Sequence, residues 1–498
     1  MGYVRQIYRN DMIDCALCAD APCKEACGKI ECDRALRSIW FDNEAGAARQ
    51  LPEKLPCEAC DAPCEKACIR SGKVSIKELM KKLHRLPQED KPCENSASTK
   101  LRTNICGIPL ENPFLLSSSV VASTYEMCAR AFDMGWAGAA FKTISFLDIH
   151  EASPRFSAIK GDGGSILGFK NIEQLSDHAV AENMEIFAKL KKDYPDKFLL
   201  VSIMGRNEEE WTTLAKMATE AGADALELNF SCPNMTEDGL GSDVGQIPEL
   251  VERFTKAARA GSDIPILAKL TPNTGTMSEA ALAAKRGGAD GLAAINTIKS
   301  IVGINPHTYA SSPSVRGQSA VGGYSGAAVK PIALRFIAEL GKNPELEGMH
   351  ISGMGGVETW KDALEFMLLG AGSIQVTTAV MQYGYRIIDD LLDGLLNYLE
   401  EKGLHNVEKV VGLGLDAVCD TEQLERDTVI YPEFQRKKCI GCGRCFLSCR
   451  DGGHQAITIG KDRKPILNLH KCVGCHLCAL VCPEEAIAVN GKRRNPVP

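Results

Sequence analysis

A lone thiol beside amide and hydroxyl groups follows a short apolar stretch near the middle of the chain. Residues 225–228 are largely apolar and lead into Asn229, Ser231 and Cys232, and residues 235–246 are rich in Gly, Asp and Ser. This pattern is typical of a buried strand that opens into a loop. Cys232 in such a loop can act as a nucleophile or as an acid, because neighbours shift its pKa from roughly 8.5. The alternative is a small buried core residue.

The composition is that of an ordinary globular protein with several domains. The 498 residues are 45% hydrophobic and 24% charged, and the net charge of −7 indicates neither nucleic-acid nor membrane-surface binding. No apolar run reaches the roughly 18 residues of a membrane span, and the first residues lack a signal-peptide core. We therefore expect a cytoplasmic protein, in which 22 cysteines indicate metal or redox chemistry rather than disulfides.

Nine of the cysteines lie in the first 70 residues, and eight of these form an internal repeat. Both halves of the repeat contain Asp-Ala-Pro-Cys, at 20–23 and 61–64, and residues 33–49 between them have helical periodicity. Eight cysteines suit two [4Fe–4S] clusters, and a pair of zinc sites is the alternative. The eight are Cys15, Cys18, Cys23, Cys27, Cys57, Cys60, Cys64 and Cys68.

Two runs of the bacterial ferredoxin type, each spaced C-x2-C-x2-C-x3-C, lie near the end of the chain. In such domains the fourth cysteine of each run binds the other cluster. Arg450 replaces the usual proline after the first run, which is a minor departure. The predicted ligands are Cys439, Cys442, Cys445 and Cys482 for one cluster, and Cys472, Cys475, Cys478 and Cys449 for the other.

The long middle section alternates short apolar runs with amphipathic helical stretches, for example at 208–220 and 357–369. About eight strand–helix units predict a (β/α)8 TIM barrel. A doubly wound sheet is the alternative, but it would need G-x-G-x-x-G after an early strand to bind a dinucleotide, and the sequence contains no such motif. The predicted strands lie at 114–116, 137–144, 198–204, 225–230, 265–270, 291–298, 350–354 and 373–380.

The chain is therefore predicted to be an α/β protein of four parts. A helical iron–sulfur domain covers 1–95, the barrel covers 101–400, a connector covers 401–430, and an α+β ferredoxin-type domain with two clusters covers 431–492. A polar segment at 89–103 is typical of a linker between the first two parts.

Polar residues follow several predicted barrel strands, at the end where barrels carry their chemistry. The late pairs at 355–356 and 377–378 are typical of a phosphate cradle, because glycine lets backbone N–H groups approach and the next helix offers its positive end. Lys142 and Lys269 also lie at strand ends, where burial without an anion would be costly. A reduced flavin carries that negative charge, so the two lysines favour a flavin cofactor.

Six further stretches and the two ferredoxin runs carry a resemblance to a known family of enzymes. The stretches are 141–143, 169–173, 229–233, 268–273, 296–297 and 323–326. From about residue 104 to about residue 490 the chain closely resembles the catalytic subunit of bacterial NAD-dependent dihydropyrimidine dehydrogenase. The barrel also resembles dihydroorotate dehydrogenase. The resemblance implies FMN in the barrel, a pyrimidine base as substrate, and Cys232 as the proton donor.

The residues also suit this chemistry. Amide and hydroxyl side chains match the alternating donors and acceptors of a pyrimidine without charge. Reduction of its 5,6 double bond adds a hydride, which a flavin supplies, and a proton, which a thiol can supply. By resemblance the pyrimidine-binding residues are Asn171, Glu173, Asn229, Asn296 and Thr297. The predicted FMN-binding residues are Ser118, Lys142, Thr143, Lys269, Ser325, Gly326, Gly355, Gly356, Thr377 and Thr378.

The N-terminal repeat resembles the cluster domain shared by dihydropyrimidine dehydrogenases and the small subunit of glutamate synthase. That family interleaves its ligands between the two halves of the repeat. Its second half is more widely spaced and can end in a glutamine ligand, and this chain departs from that pattern, because the matching place is near Met80, which does not replace the glutamine well. The assignment that the resemblance implies is Cys15, Cys18, Cys23 and Cys68 on one cluster, and Cys27, Cys57, Cys60 and Cys64 on the other.

Electrons must reach the barrel from another protein, because the chain lacks the FAD and NAD(P) modules of the long single-chain enzyme. We expect a separate flavoprotein subunit or a ferredoxin as partner, in a hetero-oligomer with a barrel homodimer, and no nucleic-acid or membrane partner. A relative acting on dihydroorotate or another cyclic amide is one alternative, although Glu173 would repel the orotate carboxylate. An electron-transfer subunit with a silent barrel is the other, against which Cys232 and the two lysines argue.

Overall fold

The computed structural model describes residues 12, 14–70, 74–85, 99–161, 166–235, 239–490 and 493–494. These residues form two compact units, one ending at Asp416 and the other beginning at Ala417. In this part of the chain no helix has both the length and the apolar character needed to cross a membrane. The predicted linker at 89–103 lies mostly outside the described residues, and the four-part division of the chain stays a prediction.

A closed barrel of eight parallel strands forms the centre of the larger unit. The strands follow one another around the barrel in chain order, and the eighth pairs with the first, with Val376 opposite Leu116. Parallel strands are buried on both faces, which is why each appears in the sequence as a continuous apolar run. The predicted (β/α)8 fold is confirmed. The strands are Phe114–Leu116, Gly138–Ile144, Phe198–Ile203, Ala225–Asn229, Ile266–Lys269, Gly291–Ala294, His350–Gly353 and Ser373–Val376.

Amphipathic helices connect the strands and bury their apolar faces on the barrel. The helix predicted at 208–220 begins where expected, because Asn207 caps it by accepting from the backbone N–H of Glu210. The helix predicted at 357–369 begins later, at Trp360, where Thr359 forms a capping box. The helices from the first strand onward are Tyr125–Asp133, Val180–Asp193, Glu208–Glu220, Ser242–Gly245, Pro248–Gly261, Ser278–Gly287, Lys330–Lys342, Trp360–Leu368, Thr378–Tyr383 and Ile388–Glu401.

A four-stranded antiparallel sheet, which the sequence analysis did not predict, lies at the carboxyl end of the barrel. Two of its strands follow the second barrel strand and two follow the sixth, so Asn171 pairs with Gly323 across a long sequence separation. A hairpin of Thr103–Ile105 and Ile108–Leu110 precedes the first barrel strand. In spatial order the strands of the sheet are Ile298–Ser300, Gly322–Ser325, Ile166–Asn171 and Phe156–Lys160.

Short helices and the loops between them carry the N-terminal cysteines and belong to the same compact unit as the barrel. The helical region predicted at 33–49 consists of two helices, and Asn43 caps the second by accepting from the backbone N–H of Gly46. The guanidinium of Arg37 lies 2.9 Å from the carboxylate of Asp390 on the last barrel helix. The N-terminal helices are Pro22–Cys27, Cys32–Trp40, Glu44–Arg49, Pro63–Lys66 and Ile76–His84.

The smaller unit has two short helices and several two-stranded pairings around a small core. Cys445 and Cys478 are buried in this core beside Ile457 and Ile487. The helices are Arg444–Gly452 and Leu477–Leu480, and the strands are Val429–Ile430, Glu433–Phe434, Ile457–Ile459, Pro465–Leu467, Ile487–Ala488 and Arg493–Arg494.

Candidate active site

One cavity at the carboxyl end of the barrel brings together every barrel residue to which the sequence analysis gave a role. Seven of the eight strands end in or next to these residues, and the four-stranded sheet contributes the others. Their individual roles stay predictions. The cavity is lined by Ser118, Lys142, Thr143, Asn171, Glu173, Asn229, Cys232, Lys269, Asn296, Thr297, Ser325, Gly326, Gly355, Gly356, Thr377 and Thr378.

Lys269 lies at the end of the fifth strand and forms an ion pair that is almost fully buried. Its Nζ atom is 3.1 Å from Oε1 of Glu227, and the two side chains are 3% and 0% exposed. Lys269 also donates to the hydroxyl of Ser118, which in turn donates to Glu227 at 2.6 Å. Gln375 donates to the second carboxylate oxygen at 3.2 Å. Glu227 is therefore held by three donors, as a buried charge requires.

Lys142, on the second strand, is also paired with a carboxylate. Its Nζ atom lies 3.0 Å from Oε1 of Glu173 and 4.0 Å from Glu151. Arg155 approaches the same oxygen of Glu173 at 3.4 Å. Burial raises the pKa of Glu151. This wall of the cavity thus contains two positive and two negative groups in contact.

These two ion pairs correct two arguments from the sequence. Burial of Lys142 and Lys269 was expected to need the negative charge of a flavin, but the chain itself supplies a carboxylate to each lysine. Glu173 was expected to repel an orotate carboxylate, but Lys142 and Arg155 compensate its charge. Neither argument therefore distinguishes between cofactors or substrates.

A chain of hydrogen bonds fixes the amide side chains along the floor of the cavity. Asn229 donates from Nδ2 to the Thr143 hydroxyl at 2.9 Å and accepts at Oδ1 from the Ser231 hydroxyl at 2.9 Å. Asn296 donates to the same serine oxygen at 2.8 Å, and its own Oδ1 accepts from the backbone N–H of Thr297. Each amide keeps a further N–H for a ligand, so the floor offers uncharged donors in fixed positions.

Cys232 lies on the loop after the fourth strand and is 7% exposed. Burial raises the pKa of its thiol to about 11, and the backbone N–H of Asn234, which hydrogen-bonds to the sulfur, opposes part of that rise. The thiol is therefore protonated at neutral pH. This state suits an acid that donates a proton rather than a thiolate nucleophile.

Comparison with known proteins identifies the family. A family model described as dihydroorotate dehydrogenase matches residues 100–399, which is more than half of the chain. The chain belongs to the dihydroorotate dehydrogenase family. A second model, described as a 4Fe-4S dicluster domain, matches residues 433–489. The resemblance stated for the barrel and the ferredoxin runs is confirmed, and so is the prediction of an oxidoreductase.

This member of the dihydroorotate dehydrogenase family is similar both to dihydropyrimidine dehydrogenases and to dihydroorotate dehydrogenases. It is 54% identical over 357 residues to subunit PreA of NAD-dependent dihydropyrimidine dehydrogenase from Escherichia coli (strain K12), covering 72% of this chain and 87% of the relative. It is 38% identical over 328 residues to chloroplastic dihydropyrimidine dehydrogenase (NADP(+)) from Arabidopsis thaliana, covering 63% and 77%. It is also 38% identical over 320 residues to the catalytic subunit of dihydroorotate dehydrogenase B from Pyrococcus abyssi, covering 63% and 99%.

A solved structure is similar in fold. The dihydroorotate dehydrogenase of Eimeria tenella in complex with ferulenol superposes with a TM-score of 0.53 at 21% sequence identity. The superposition covers 66% of this chain and 91% of the other. At this identity the similarity supports the fold alone.

Membership of the family implies FMN in the barrel, and the residues present fit its phosphate group. Gly355 and Gly356 both have positive φ, at 121° and 89°. A Cβ atom on Gly356 would lie 2.8 Å from the Gly326 carbonyl oxygen and 3.0 Å from the backbone nitrogen of Lys330. Only glycine fits there, and without a side chain the backbone of this turn stays accessible to a phosphate in the cavity.

The ferredoxin match implies [4Fe–4S] clusters in the smaller unit. Two cavities there are each lined by four cysteines, and the grouping is the one predicted from the spacing. Among the described residues, no group of three or more His, Cys, Asp or Glu side chains has the geometry to hold a single metal ion. The two sets are Cys439, Cys442, Cys445 and Cys482, and Cys449, Cys472, Cys475 and Cys478.

The N-terminal cysteines also group in space as the resemblance implied. One cavity is lined by Cys15, Cys18, Cys23 and Cys68, together with Arg386 of the barrel unit. Cys57 lies near Cys27 and Cys60, and Cys64 lies near Cys27 and Cys57. Whether these cysteines bind iron stays a prediction.

Three residues at these sites were missed by the sequence analysis. Glu227 was detectable, because it is a lone charge inside an otherwise apolar strand, and such a charge needs a buried partner. Cys32, which lies against Cys23 and near Cys27, gave only the signal of an extra cysteine outside the spacing pattern. Asn234 lines the cavity, but nothing in the local sequence distinguishes it from a loop residue.

Proposed function

We propose that this chain is the pyrimidine-reducing subunit of a dihydropyrimidine dehydrogenase, which adds hydrogen reversibly across the 5,6 double bond of uracil or thymine. The observation that carries the proposal is a protonated thiol, Cys232, in one cavity with uncharged amides that can match a pyrimidine edge. The identity of 54% with a subunit of such an enzyme supports it. The many cysteines suit a reducing compartment such as the cytoplasm.

In this proposal the chain's own residues bind the ring and supply a proton. FMN, when bound, supplies the hydride, which no side chain can. Asn171, Asn229, Asn296 and Thr297 hydrogen-bond the amide edge of the pyrimidine and orient it. Cys232 gives its proton to the carbon next to the one that receives hydride, and it is protonated again from solvent. In this proposal Lys269, Gly355 and Gly356, which also line the cavity, hold the cofactor.

Electrons reach the barrel through iron–sulfur clusters in this proposal. Two clusters belong to the C-terminal unit and two to the N-terminal cysteines. A flavoprotein subunit that binds NAD, or a ferredoxin, supplies the electrons, in a hetero-oligomer built on a barrel homodimer. The relative from Escherichia coli is a subunit of NAD-dependent dihydropyrimidine dehydrogenase, which supports a separate partner.

A dihydroorotate-type activity is the second candidate. The relative from Pyrococcus abyssi is the catalytic subunit of such an enzyme, and Lys142 and Arg155 could offer positive charge to a carboxylate. The greater identity to the dihydropyrimidine dehydrogenase subunit favours the uncharged base.

The purified protein, reduced anaerobically with an artificial donor, should reduce uracil or thymine and leave orotate unchanged. NADH alone should not reduce its flavin, because the sequence contains no dinucleotide fingerprint. Addition of a flavoprotein partner should restore NADH-dependent activity. Consumption of each pyrimidine is measured by its ultraviolet absorbance. Turnover of orotate but not uracil would favour the second candidate, and rapid bleaching of the flavin by NADH would reveal a nicotinamide site in this chain.

Metal analysis tests the four clusters. An anaerobic preparation should contain about sixteen iron atoms per chain, four for each cluster, and one FMN. Iron and zinc are quantified together by mass spectrometry of the digested protein. A content of about eight iron atoms with two zinc ions would remove the N-terminal clusters and leave the ferredoxin pair.

The rate of pyrimidine reduction should stay constant between about pH 6 and pH 9, because the thiol of Cys232, with a pKa raised to about 11, is already protonated there. The reverse reaction needs the thiolate, whose share rises about tenfold per pH unit below the pKa. Oxidation of a dihydropyrimidine should therefore accelerate over the same range. Stopped-flow flavin absorbance in both directions measures this, and a break in both profiles near the ordinary cysteine pKa would contradict it.

A further inference from the structure

Glu227 is a fully buried carboxylate that lies behind the wall of the cavity. It occupies the middle of the fourth strand and does not itself line the cavity, whereas its partner Lys269 does. Glu227 can therefore influence a ligand through its charge and through Lys269, but not by contact.

The hydrogen bonds of Lys269 show how its positive charge is shared. Its Nζ atom donates to the Ser118 hydroxyl at 2.7 Å and to Oε1 of Glu227 at 3.1 Å, and the Ser117 hydroxyl lies at 3.5 Å. An ammonium group has three N–H donors. Two of them are used at ordinary distances within the described part of the chain, and the third can turn toward an acceptor in the cavity. Lys269 therefore offers a ligand the charge of an ion pair rather than that of a free ammonium group.

The orientation of the Gln375 amide indicates that Glu227 is ionised. Its Nε2 atom donates to Oε2 of Glu227 at 3.2 Å and to the Ser352 hydroxyl at 3.1 Å. Among the described residues, the Oε1 atom of Gln375 is buried and finds no hydrogen-bond partner. A buried acceptor without a partner is unfavourable, but the opposite orientation would set this oxygen against an oxygen of Glu227. A carboxylate whose two oxygens both accept explains the orientation that is observed.

A short series of polar side chains inside the barrel holds this amide in place. The Ser352 hydroxyl also accepts from the Ser373 hydroxyl at 2.9 Å, and the Ser373 oxygen lies 2.9 Å from Nε2 of His350. None of these three residues lines the cavity. The barrel interior thus fixes Gln375, and Gln375 fixes Glu227 beside Lys269.

We propose that Glu227 is a positioning residue that limits the positive charge which Lys269 presents to the FMN ring. The inference rests on the proposed function, in which Lys269 holds the cofactor. Reduced FMN carries negative charge, so an uncompensated ammonium group would stabilise it and make it a weaker hydride donor. The 5,6 double bond of a pyrimidine belongs to a conjugated ring and needs a strong donor. Glu227 offsets part of the charge of Lys269 and keeps the ammonium group in place.

The test measures the binding of sulfite to oxidised FMN in the full holoprotein, followed by the loss of visible flavin absorbance. Sulfite adds to the oxidised ring and leaves negative charge on it, so its affinity reports the positive charge nearby. Glu227→Gln keeps the shape and removes the charge, and the Gln375 amide can turn over to accept from the new amide. The dissociation constant of sulfite should fall by about 10- to 100-fold, the size of effect that one charge exerts on a neighbouring ionisation. Glu227→Met, a second neutral variant, should give a fall in the same range.

Two controls separate charge from structure. Glu227→Asp keeps the charge and should bind sulfite nearly as wild type does. Asp390→Asn makes the same chemical change at a matched site, because Asp390 is also buried, accepts from Arg37 at 2.9 Å and from Ser38 at 2.6 Å, and does not line the cavity. It should leave sulfite binding unchanged, and FMN content and urea unfolding verify that each variant is loaded and folded. Unchanged sulfite affinity in the neutral Glu227 variants, or an equal shift in Asp390→Asn, would overturn the proposal.

A double-variant comparison tests whether Glu227 acts through Lys269. Lys269→Met alone should weaken sulfite binding, because the positive charge is lost. Adding Glu227→Gln to it should change the affinity far less than in the wild type, because no ammonium group remains and a lone buried carboxylate takes up a proton. Effects that multiply would show that the two residues act independently, which contradicts the proposal. Sulfite binding requires no pyrimidine, so a wild type that binds FMN but reduces no pyrimidine would refute the proposed function and leave this comparison decisive.

Discussion

Replacement of Cys232 by alanine should slow reduction of uracil by about 10² to 10⁴, the usual loss when a positioned general acid is removed. The thiol lies on the loop after the fourth strand, and burial raises its pKa to about 11, so it is protonated at neutral pH, as the proposed proton donor must be. The measurement is single-turnover oxidation of the reduced enzyme by uracil. Cys232→Ser should give an intermediate rate, because a hydroxyl can occupy the place but is a much weaker acid.

Two controls separate the loss of the acid from loss of structure. Uracil affinity should survive, because Asn229 and Asn296 keep the hydrogen bonds through Ser231 that fix them. FMN should still bind and accept electrons from a donor, because Lys269 and its partners are unchanged. If Cys232 had only a structural role, turnover should change little in the alanine variant. Near-normal turnover in Cys232→Ala would remove this thiol from the mechanism.

Glu227→Ala should destabilise the barrel by about 3–5 kcal/mol, the usual effect of removing one partner of a buried ion pair. Lys269 would remain in the barrel, 3% exposed, without its carboxylate. The serine and glutamine that now donate to Glu227 would lose their acceptor as well. Urea unfolding followed by tryptophan fluorescence measures the change, because Trp136 and Trp211 are buried in the barrel unit.

The expected loss of stability comes from the unpaired charge of Lys269, and a second variant tests this cause. Glu227→Met combined with Lys269→Met leaves no unpaired charge at this position, so it should be more stable than Glu227→Ala, although it would not be expected to function. Glu220→Ala serves as the surface control, because its pair with Lys216 is 67% exposed on both sides and should change stability by about 0–1 kcal/mol. A loss in Glu227→Ala no larger than that of the surface control would show that the buried pair contributes little.

The sequence was sufficient to locate the site because its residues occupy regular positions in a regular fold. Parallel strands buried on both faces leave apolar runs, and the residues after each run lie at one end of the barrel. Lys142, Asn229 and Lys269 could therefore be assigned to one cavity although they are far apart in sequence, and the structure places them there. The two ferredoxin runs were equally predictable, since their spacing alone determines how the cysteines interleave.

The sequence by itself thus determined the barrel, the polar residues at its carboxyl end and the grouping of the C-terminal cysteines. Only the tertiary structure decided which charge meets which. Glu227 pairs with Lys269, and Glu173 pairs with Lys142, so the two lysines that were expected to need a flavin anion already have carboxylate partners. Two insertions that are far apart in the sequence form the four-stranded sheet, and Asn234 contacts Asn171. Neither feature follows from the local sequence, and both are seen only in the structure. Periodicity shows which face of its own helix or strand a residue occupies. An ion pair or hydrogen bond depends instead on the distance between two elements, and no local sequence pattern contains that distance.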